Sequence, residues 1–400
     1  MKNKNKDTKS QAKKSQDSKI PLNDYKQNGK KRPWDKNKAY SCAVAEAFKS
    51  IPGLESHGEK IENCGNYLEM AACANFAEHG KVLRKAFFCR IRNCITCQWL
   101  RSLTVQNQML ELAKEHLKKY PTDVPILCTP TVLNVKGDEI GKTLDKMNGG
   151  WKRFMELKPI KRVVRSAFKS FEIPYNRERD DFHPHFHSIL MVPASYFRKE
   201  RELYIARDEY LRMWQQSMRD DRITQFDVRV FKPGKKGALE SLVAEVAKYA
   251  TKPDSYISTN EHGKNEVDTK VAEALYYGLR GRRLVSYWGY FNKIRKQKKM
   301  MDLGEPVSCK DSCSCKICNG PMVDEDYLWS KWDNRYWGRR VPKEEKDNEE
   351  KPEPFVKKKP PPSILLRALK KSIGRGQEPE NDNYDEPIHE IERIQCRGPT

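Results

Sequence analysis

The chain is 400 residues long, enough for one large or two modest domains with tails, so a sizeable core is possible and no disulfide scaffold is required. Its 77 Lys and Arg against 55 Asp and Glu leave a net charge of +22, which singles out polyanions as partners, either nucleic acid or an anionic membrane surface. No run approaches the roughly 18 apolar residues of a membrane span and the lysine-rich start lacks the apolar stretch of a signal peptide, so a cytoplasmic location is expected, where 12 cysteines read better as metal ligands than as disulfides.

Residues 1–38 are rich in Lys and almost devoid of apolar residues, the composition of a disordered basic arm. Residues 39–123 form a Cys-rich region. There "CRIRNCITC" supplies Cys89, Cys94 and Cys97 in a C-x4-C-x2-C run, and Cys64 in "ENCGNYLEM" offers a fourth thiolate, with Cys73 as the competing ligand. Closely spaced thiols in a reducing compartment favour structural Zn²⁺ over independent buried thiols. Cys42 and Cys128 read as ordinary buried cysteines.

Residues 124–260 carry a regular alternation of elements. "ILCTPTVLNV" (126–135) is a predicted strand, followed by a helix in "GKTLDKMNGGWKRFMEL". "RVVRSAFKSFEIPY" (162–175) is a strand, "NRERD" a turn, and "HFHSILMV" the returning strand. A helix over "RELYIARDEYLRMWQQSMR", a strand in "ITQFDVRVF" (223–231) and a helix over "GALESLVAEVAKYATK" complete a β-α-β-β-α-β-α order, in which the third strand is central.

That third strand concentrates chemistry. Three of the chain's 8 histidines, His183, His185 and His187, fall in "HPHFH". Residues two apart on a strand share a face, so His185 and His187 project side by side and can chelate one divalent ion, whereas two core histidines would each need a separate hydrogen-bond partner. His183 has the same parity but adjoins Pro184, which makes it a strand-entry or phosphate-facing residue. A hairpin centred between Glu178 and Arg179 sets Glu172 opposite His185, where its carboxylate would complete the ligand set; the alternative is a solvated strand carboxylate. On the last helix Glu245, Tyr249 and Lys252 lie near one face. Such spacing also suits a Tyr at the edge of an apolar stripe. If that face reaches the metal, the phenol of Tyr249 can attack a phosphodiester, Glu245 can act as general base, and Lys252 can neutralise the phosphate or nascent phenolate.

In residues 261–340, "YYGLRGRRLVSYWGYFNKIRKQKK" interleaves aromatics with Arg280, Arg282 and Arg283, a pattern suited to stacking on unpaired bases while holding phosphates; a partly buried basic helix is the alternative. "SCKDSCSCKICNG" holds Cys309, Cys313, Cys315 and Cys318, a second candidate Zn²⁺ knuckle. Residues 341–400 are a disordered Pro- and charge-rich tail with one candidate amphipathic helix, "ILLRALKKSIG". No phosphate-cradling G-x-x-x-x-G-K-[ST] loop occurs.

"HPHFHSIL" followed by "EVAKYATK" resembles the HUH endonucleases, specifically the rolling-circle replication initiators of small plasmids of Gram-positive bacteria. "ILCTPTVLNVKGDEIGKTLDKMNGGWKRF" looks like that family's first motif and "FCRIRNCITCQWLRSL" like its Cys-rich N-terminal motif, so the likeness covers about Cys64 to Lys252. It implies an α+β HUH fold, an antiparallel split βαβ sheet with helices on one face, plus Cys-rich zinc-binding segments. It implies a Mn²⁺- or Mg²⁺-dependent nicking and joining enzyme of the single-tyrosine type acting at a plasmid double-strand origin. His185 and His187 would be metal ligands, Tyr249 the nucleophile and Glu245 the water-activating carboxylate used at termination. Origin duplex, single-stranded DNA, a host helicase and a second protomer are the implied partners, with no membrane. Rival readings are a mobilisation relaxase, a single-tyrosine transposase, or a non-catalytic zinc-containing DNA-binding regulator; the last leaves the paired histidines and the Glu-Tyr-Lys helix unexplained.

Overall fold

The structure is a computed structural model that describes residues 20–26, 28–198, 202–231, 238–247, 251–298, 300 and 314–340. The N-terminal part runs β1 (Ile20–Pro21), α1 (Trp34–Lys49), α2 (Glu55–Asn63), β2 (Tyr67–Cys73), β3 (Val82–Ala86) and α3 (Ile95–Lys119). The central part runs β4 (Asp123–Pro130), α4 (Ile140–Glu156), α5 (Lys158–Val163), β5 (Ser166–Glu172), β6 (Tyr175–Asn176), β7 (Asp181–Phe182), β8 (His185–Pro193), α6 (Arg207–Met218), β9 (Phe226–Val230) and α7 (Ala238–Val246). Then follow α8 (Pro253–Tyr256), β10 (Ile257–Thr259), β11 (Asn265–Val267), α9 (Thr269–Leu279), β12 (Val285–Gly289), α10 (Tyr290–Gln297), β13 (Met322–Ser330) and β14 (Arg335–Arg340). None of these helices is long and apolar enough to cross a membrane.

The central sheet is antiparallel, in the order β12-β5-β8-β4-β9, so the histidine strand β8 is its middle strand. The β5–β8 register pairs Glu172 with His185, as the two-residue period of the hairpin requires, and β6–β7 continues the same register by pairing Tyr175 with Phe182. Boundaries differ in detail. Arg162 and Val163 close the short helix α5 before β5 begins, and α6 starts at Arg207, well after Arg201.

The expectation of helices on one face is corrected. Alternation along β8 sends Phe186, Leu190 and Val192 to one side, where Phe186 meets Trp151 of α4 and Trp214 of α6 edge-on at 5.0 and 5.5 Å between ring centroids. Ile189 and Met191 point to the other side, into a separate cluster with Val105, Met109 and Leu112 of α3, Leu242, Val243 and Val246 of α7, and Phe291 and Ile294 of α10. Both faces of the central strand are apolar beyond the histidines, and both must be covered; α3 and α10, which lie outside the split unit in sequence, cover the second.

The domain boundaries read from composition are redrawn as well. A second antiparallel sheet has the order β1-β14-β13-β2-β3, so the C-terminal hairpin completes a sheet begun near the N-terminus, while β12 joins the central sheet and α10 packs on it. The expected arm of 1–38 is structured from Ile20 onward. Asp24 is buried and accepts from Trp34 Nε1 at 2.8 Å and from the Lys81 amide at 2.9 Å; Lys38 is fully buried, its ammonium donating to the Glu62 and Cys64 carbonyls at 2.7 Å. Composition misses such residues because each polar group is satisfied by distant chain. Residues 1–19 and 341–400, with the candidate helix at 364–374, lie outside the described residues.

One buried lysine makes a stability prediction. Lys169 on β5 is 1 % exposed, donates to Asn148 Oδ1 at 2.6 Å and lies 4.5 and 4.7 Å from the ring centres of Phe171 and Phe186. Burial, with the nearby charge of Arg283 second, pushes its ammonium down to about 7. The unfolded chain then binds the proton more tightly, so a charge penalty on the order of a few kcal/mol, partly returned by the two ring faces, is full below pH 7 and fades as pH rises towards about 10.5. Lys169→Met is therefore expected to raise the melting temperature most at pH 6 and progressively less towards pH 10. Melting curves across that range test it, and a gain that grows with pH would refute it.

Candidate metal and DNA-cleavage site

Glu172, His185 and His187 converge at the end of β5 and β8, with donor atoms of all three within 4.8 Å of one another and side chains 12–14 % exposed. His187 Nε2 lies 2.9 Å from Glu172 Oε2, and His185 Nε2 lies 3.6 Å from the same oxygen. The outer nitrogens are anchored: His185 Nδ1 donates to the His183 carbonyl at 3.0 Å, and His187 Nδ1 is 3.4 Å from Thr129 Oγ1 on β4. With Nδ1 carrying the proton, His185 Nε2 presents a lone pair towards a carboxylate oxygen. Two acceptors facing each other in this way suit a divalent cation between them, and the outer hydrogen bonds are those that fix a ligating imidazole. With no ion between them and the imidazoles protonated, hydrogen bonds and charge from His185 and His187 would instead hold the Glu172 carboxyl well below the usual carboxylate range, against the opposing effect of burial. His183 is outside the triad: its ring centre lies 5.3 Å from that of His185, and its Nδ1 is 2.7 Å from Asn134 Oδ1.

Helix α7 packs on the same face of the sheet as these three side chains, through Leu242, Val243 and Val246 against Ile189 and Met191. Glu245 is half-buried near its end. Tyr249 lies outside the described residues; the chain resumes at Thr251, buried and donating to Gln98 Oε1 of α3 at 3.1 Å, and Lys252 is exposed ahead of α8.

The first cysteine cluster assembles with Cys64, not Cys73, as its fourth member. Cys64 Sγ is 3.5 Å from Cys97 and 3.6 Å from Cys94, Cys89 Sγ is 3.7 Å from Cys97, and the Cys89 amide donates to Cys64 Sγ at 3.4 Å. A tetrahedron of sulfurs at the Zn–S distance of about 2.3 Å has edges of about 3.7 Å, so the four thiols fit zinc. Cys94 also immediately precedes α3, the helix against which α7 and Thr251 pack.

The family model described as Replication protein matches residues 80–337. A curated "Protein rep" of Streptococcus pneumoniae serotype 2 is 32% identical over 284 residues, covering 70% of this chain and 84% of that protein. The chain belongs to the Rep family of replication proteins. The "Protein rep" of Lentilactobacillus hilgardii is 29% identical over 320 residues, 79% of this chain and 97% of its own, and a Staphylococcus aureus "Replication protein" is 28% identical over 201 residues, 50% and 83%. No solved structure matches. The resemblance to rolling-circle plasmid initiators drawn from the motifs is borne out at the level of family.

The remaining expected residues of this Rep protein divide. Arg282, read from sequence as a DNA contact, pairs with Asp145 at 2.9 Å and donates to the carbonyls of Gly141, Tyr277 and Gly278, tying the end of α9 to α4. Arg280 and Arg283 are exposed on the same turn, which Arg92 of the cysteine loop holds through the Leu279 and Arg282 carbonyls. Part of the basic-aromatic segment serves packing, with Tyr287 against Phe168 and Phe291 fully buried, while Tyr277, Lys293 and Lys296 are exposed. Cys128 is a buried thiol on β4 and Cys42 a half-buried one on α1, both outside the clusters. Cys315 and Cys318 do not stand alone: the structure sets them beside Cys73 and His79, while Cys309 and Cys313 lie outside the described residues. Sequence reading missed His79 and Thr129. The six-residue spacing of Cys73 and His79 was the available signal for the first; Thr129 was visible only as part of the "TPT" motif.

Proposed function

We propose that this Rep protein is the initiator that binds its plasmid's double-strand origin in the cytoplasm, nicks one strand through Tyr249 and rejoins it at termination, on an HUH nicking and joining domain spanning about 124–260. The observation that carries the reading is the convergence of Glu172, His185 and His187 on the central strand, on the face where α7 packs just ahead of Tyr249. Mn²⁺ or Mg²⁺ held by these three would polarise the scissile phosphate and stabilise charge on its oxygens. Tyr249 Oη forms a bond to phosphorus, the bond to the 3′ oxygen breaks, and the phenolic proton passes to the bulk or through Glu245. The products are a 5′-phosphotyrosyl ester and a 3′-hydroxyl that primes synthesis. Lys252 balances charge on the phosphate, and Glu245 activates water, or orients the attacking hydroxyl, when the ester is resolved. Zinc in the Cys64, Cys89, Cys94 and Cys97 cluster stabilises the fold. Arg280 and Arg283 hold the unpaired strand, a host helicase unwinds the duplex, and a second protomer can supply a further tyrosine.

Incubation with a supercoiled plasmid carrying the cognate replicon tests this. The parent should give one mapped nick that requires added Mn²⁺ or Mg²⁺, and His187→Ala should lose it while keeping origin-duplex affinity within about threefold, because affinity comes from distributed phosphate and base contacts. Full nicking by a His185→Ala/His187→Ala double variant would end the metal-site reading.

A further inference from the structure

We propose that Cys73, His79, Cys315 and Cys318 form a second structural zinc site that clasps the C-terminal hairpin onto the N-terminal sheet. The four donor atoms lie within 4.8 Å of one another, although the residues come from opposite ends of the folded chain. Cys73 Sγ and Cys318 Sγ are 3.6 Å apart, and His79 Nδ1 is 3.2 Å from Cys315 Sγ. These separations match the edges of a tetrahedron around one zinc at about 2.0–2.3 Å from each donor, and Cys₃His is an established donor set for that ion. They exceed the roughly 2.05 Å of a disulfide, and the thiols are free.

The backbone around the sulfurs is arranged as a thiolate knuckle. Cys315 and Cys318 are spaced C-x2-C in "CKICNG", a spacing typical of paired zinc thiolates. The turn closes through Asn319 N to the Cys315 carbonyl at 2.8 Å and Cys315 N to the Gly320 carbonyl at 2.9 Å, with Asn319 at φ 54°. Gly320 lies close against the site: a Cβ there would meet Asn75 Nδ2 at 2.5 Å, so the Asn75 side chain would have to move, and Cys318 Sγ at 3.1 Å.

Position gives the site its role. Cys73 is the last residue of β2 and pairs with Met322, the first of β13, so a metal there locks the end at which the β2–β13 ladder opens. His79 comes from the loop that leads to β3, so the same ion fixes that turn. The clasp stands outside the central sheet and rests on none of the nicking chemistry.

Two measurements on the full-length protein test the proposal. After the divalent-cation site is cleared with mild EDTA, zinc analysis should find about two tightly held ions per chain, falling to about one in His79→Ala and in Cys318→Ser. Hydrogen exchange in those variants should speed up by about tenfold or more at the β13 amides while β8 amides hold their protection. If a variant fails to fold, the parent still decides the matter: Co²⁺ exchange should show two tetrahedral sites, with thiolate charge-transfer intensity matching seven sulfurs in all. One zinc per parent chain, unchanged zinc in folded His79→Ala and Cys318→Ser, or a Cys73–Cys318 disulfide in non-reducing peptide maps would each overturn it.

Discussion

Tyr249→Phe protein is expected to leave origin DNA uncut and to form no covalent adduct, a loss of at least about 10⁴-fold, the order that follows removal of an attacking nucleophile. The substitution keeps the ring and removes the only oxygen able to form the ester. Glu245→Ala should separate from it: that variant should still nick but resolve the final ester poorly, by about 10² to 10⁴-fold, the usual contribution of a general base, and on a plasmid with two tandem origins its products should run past the second. Two of the other phenols, Tyr256 and Tyr276, are poor substitutes. Tyr256 is 5 % exposed, its hydroxyl 3.3 Å from Thr251 Oγ1, and burial raises its ionisation far above the ordinary phenol range; Tyr276 sits against His57. Peptide mapping after reaction with a 5′-labelled oligonucleotide decides the assignment. An adduct on Tyr256, Tyr276 or Tyr277, with Tyr249→Phe fully active, would displace it.

The second large effect concerns the buried thiols. Cys94→Ser should strip zinc from the Cys64, Cys89, Cys94 and Cys97 cluster and unfold the N-terminal region, because zinc binding at such a site carries folding free energy on the order of 10 kcal/mol and Cys94 is fully buried where α3 begins. Nicking should fall with it indirectly, since α3 is the surface on which α7 and Thr251 pack. Calorimetry with metal analysis checks this; a zinc-free variant melting within about 2 °C of the parent would refute it.

What could be read from the sequence was local. Period two along "HPHFHSIL" and a short turn are enough to place Glu172 opposite His185, and the helix–strand order from Asp123 to Val246 follows from patterning over neighbouring residues. What escaped was non-local. Nothing periodic in "YLEMAAC" indicates that its partner is "MVDEDYLWS", and a lone His79 in a polar loop has no meaning until Cys315 and Cys318 arrive beside it. Lys38 and Asp24 look like members of a solvated arm because their partners, the Cys64 carbonyl and the Trp34 and Lys81 donors, are set by tertiary packing. The structural partner of Arg282 is hidden for the same reason: Asp145, which pairs with it, is distant in sequence.

The pairing of β2 with β13 also dictates an order of events during synthesis. Cys73 leaves the ribosome long before Met322, and at about 5–20 residues per second the interval is tens of seconds. Throughout it β2 has β3 on one side and an open edge on the other, the arrangement most prone to pairing with a foreign strand. The central sheet is little better off, because its β12 edge also arrives late. A nascent chain therefore acquires its histidine strand early and closes both sheets last, so a message truncated before β13 yields a polypeptide with an unpaired β2 edge and a strong tendency to aggregate.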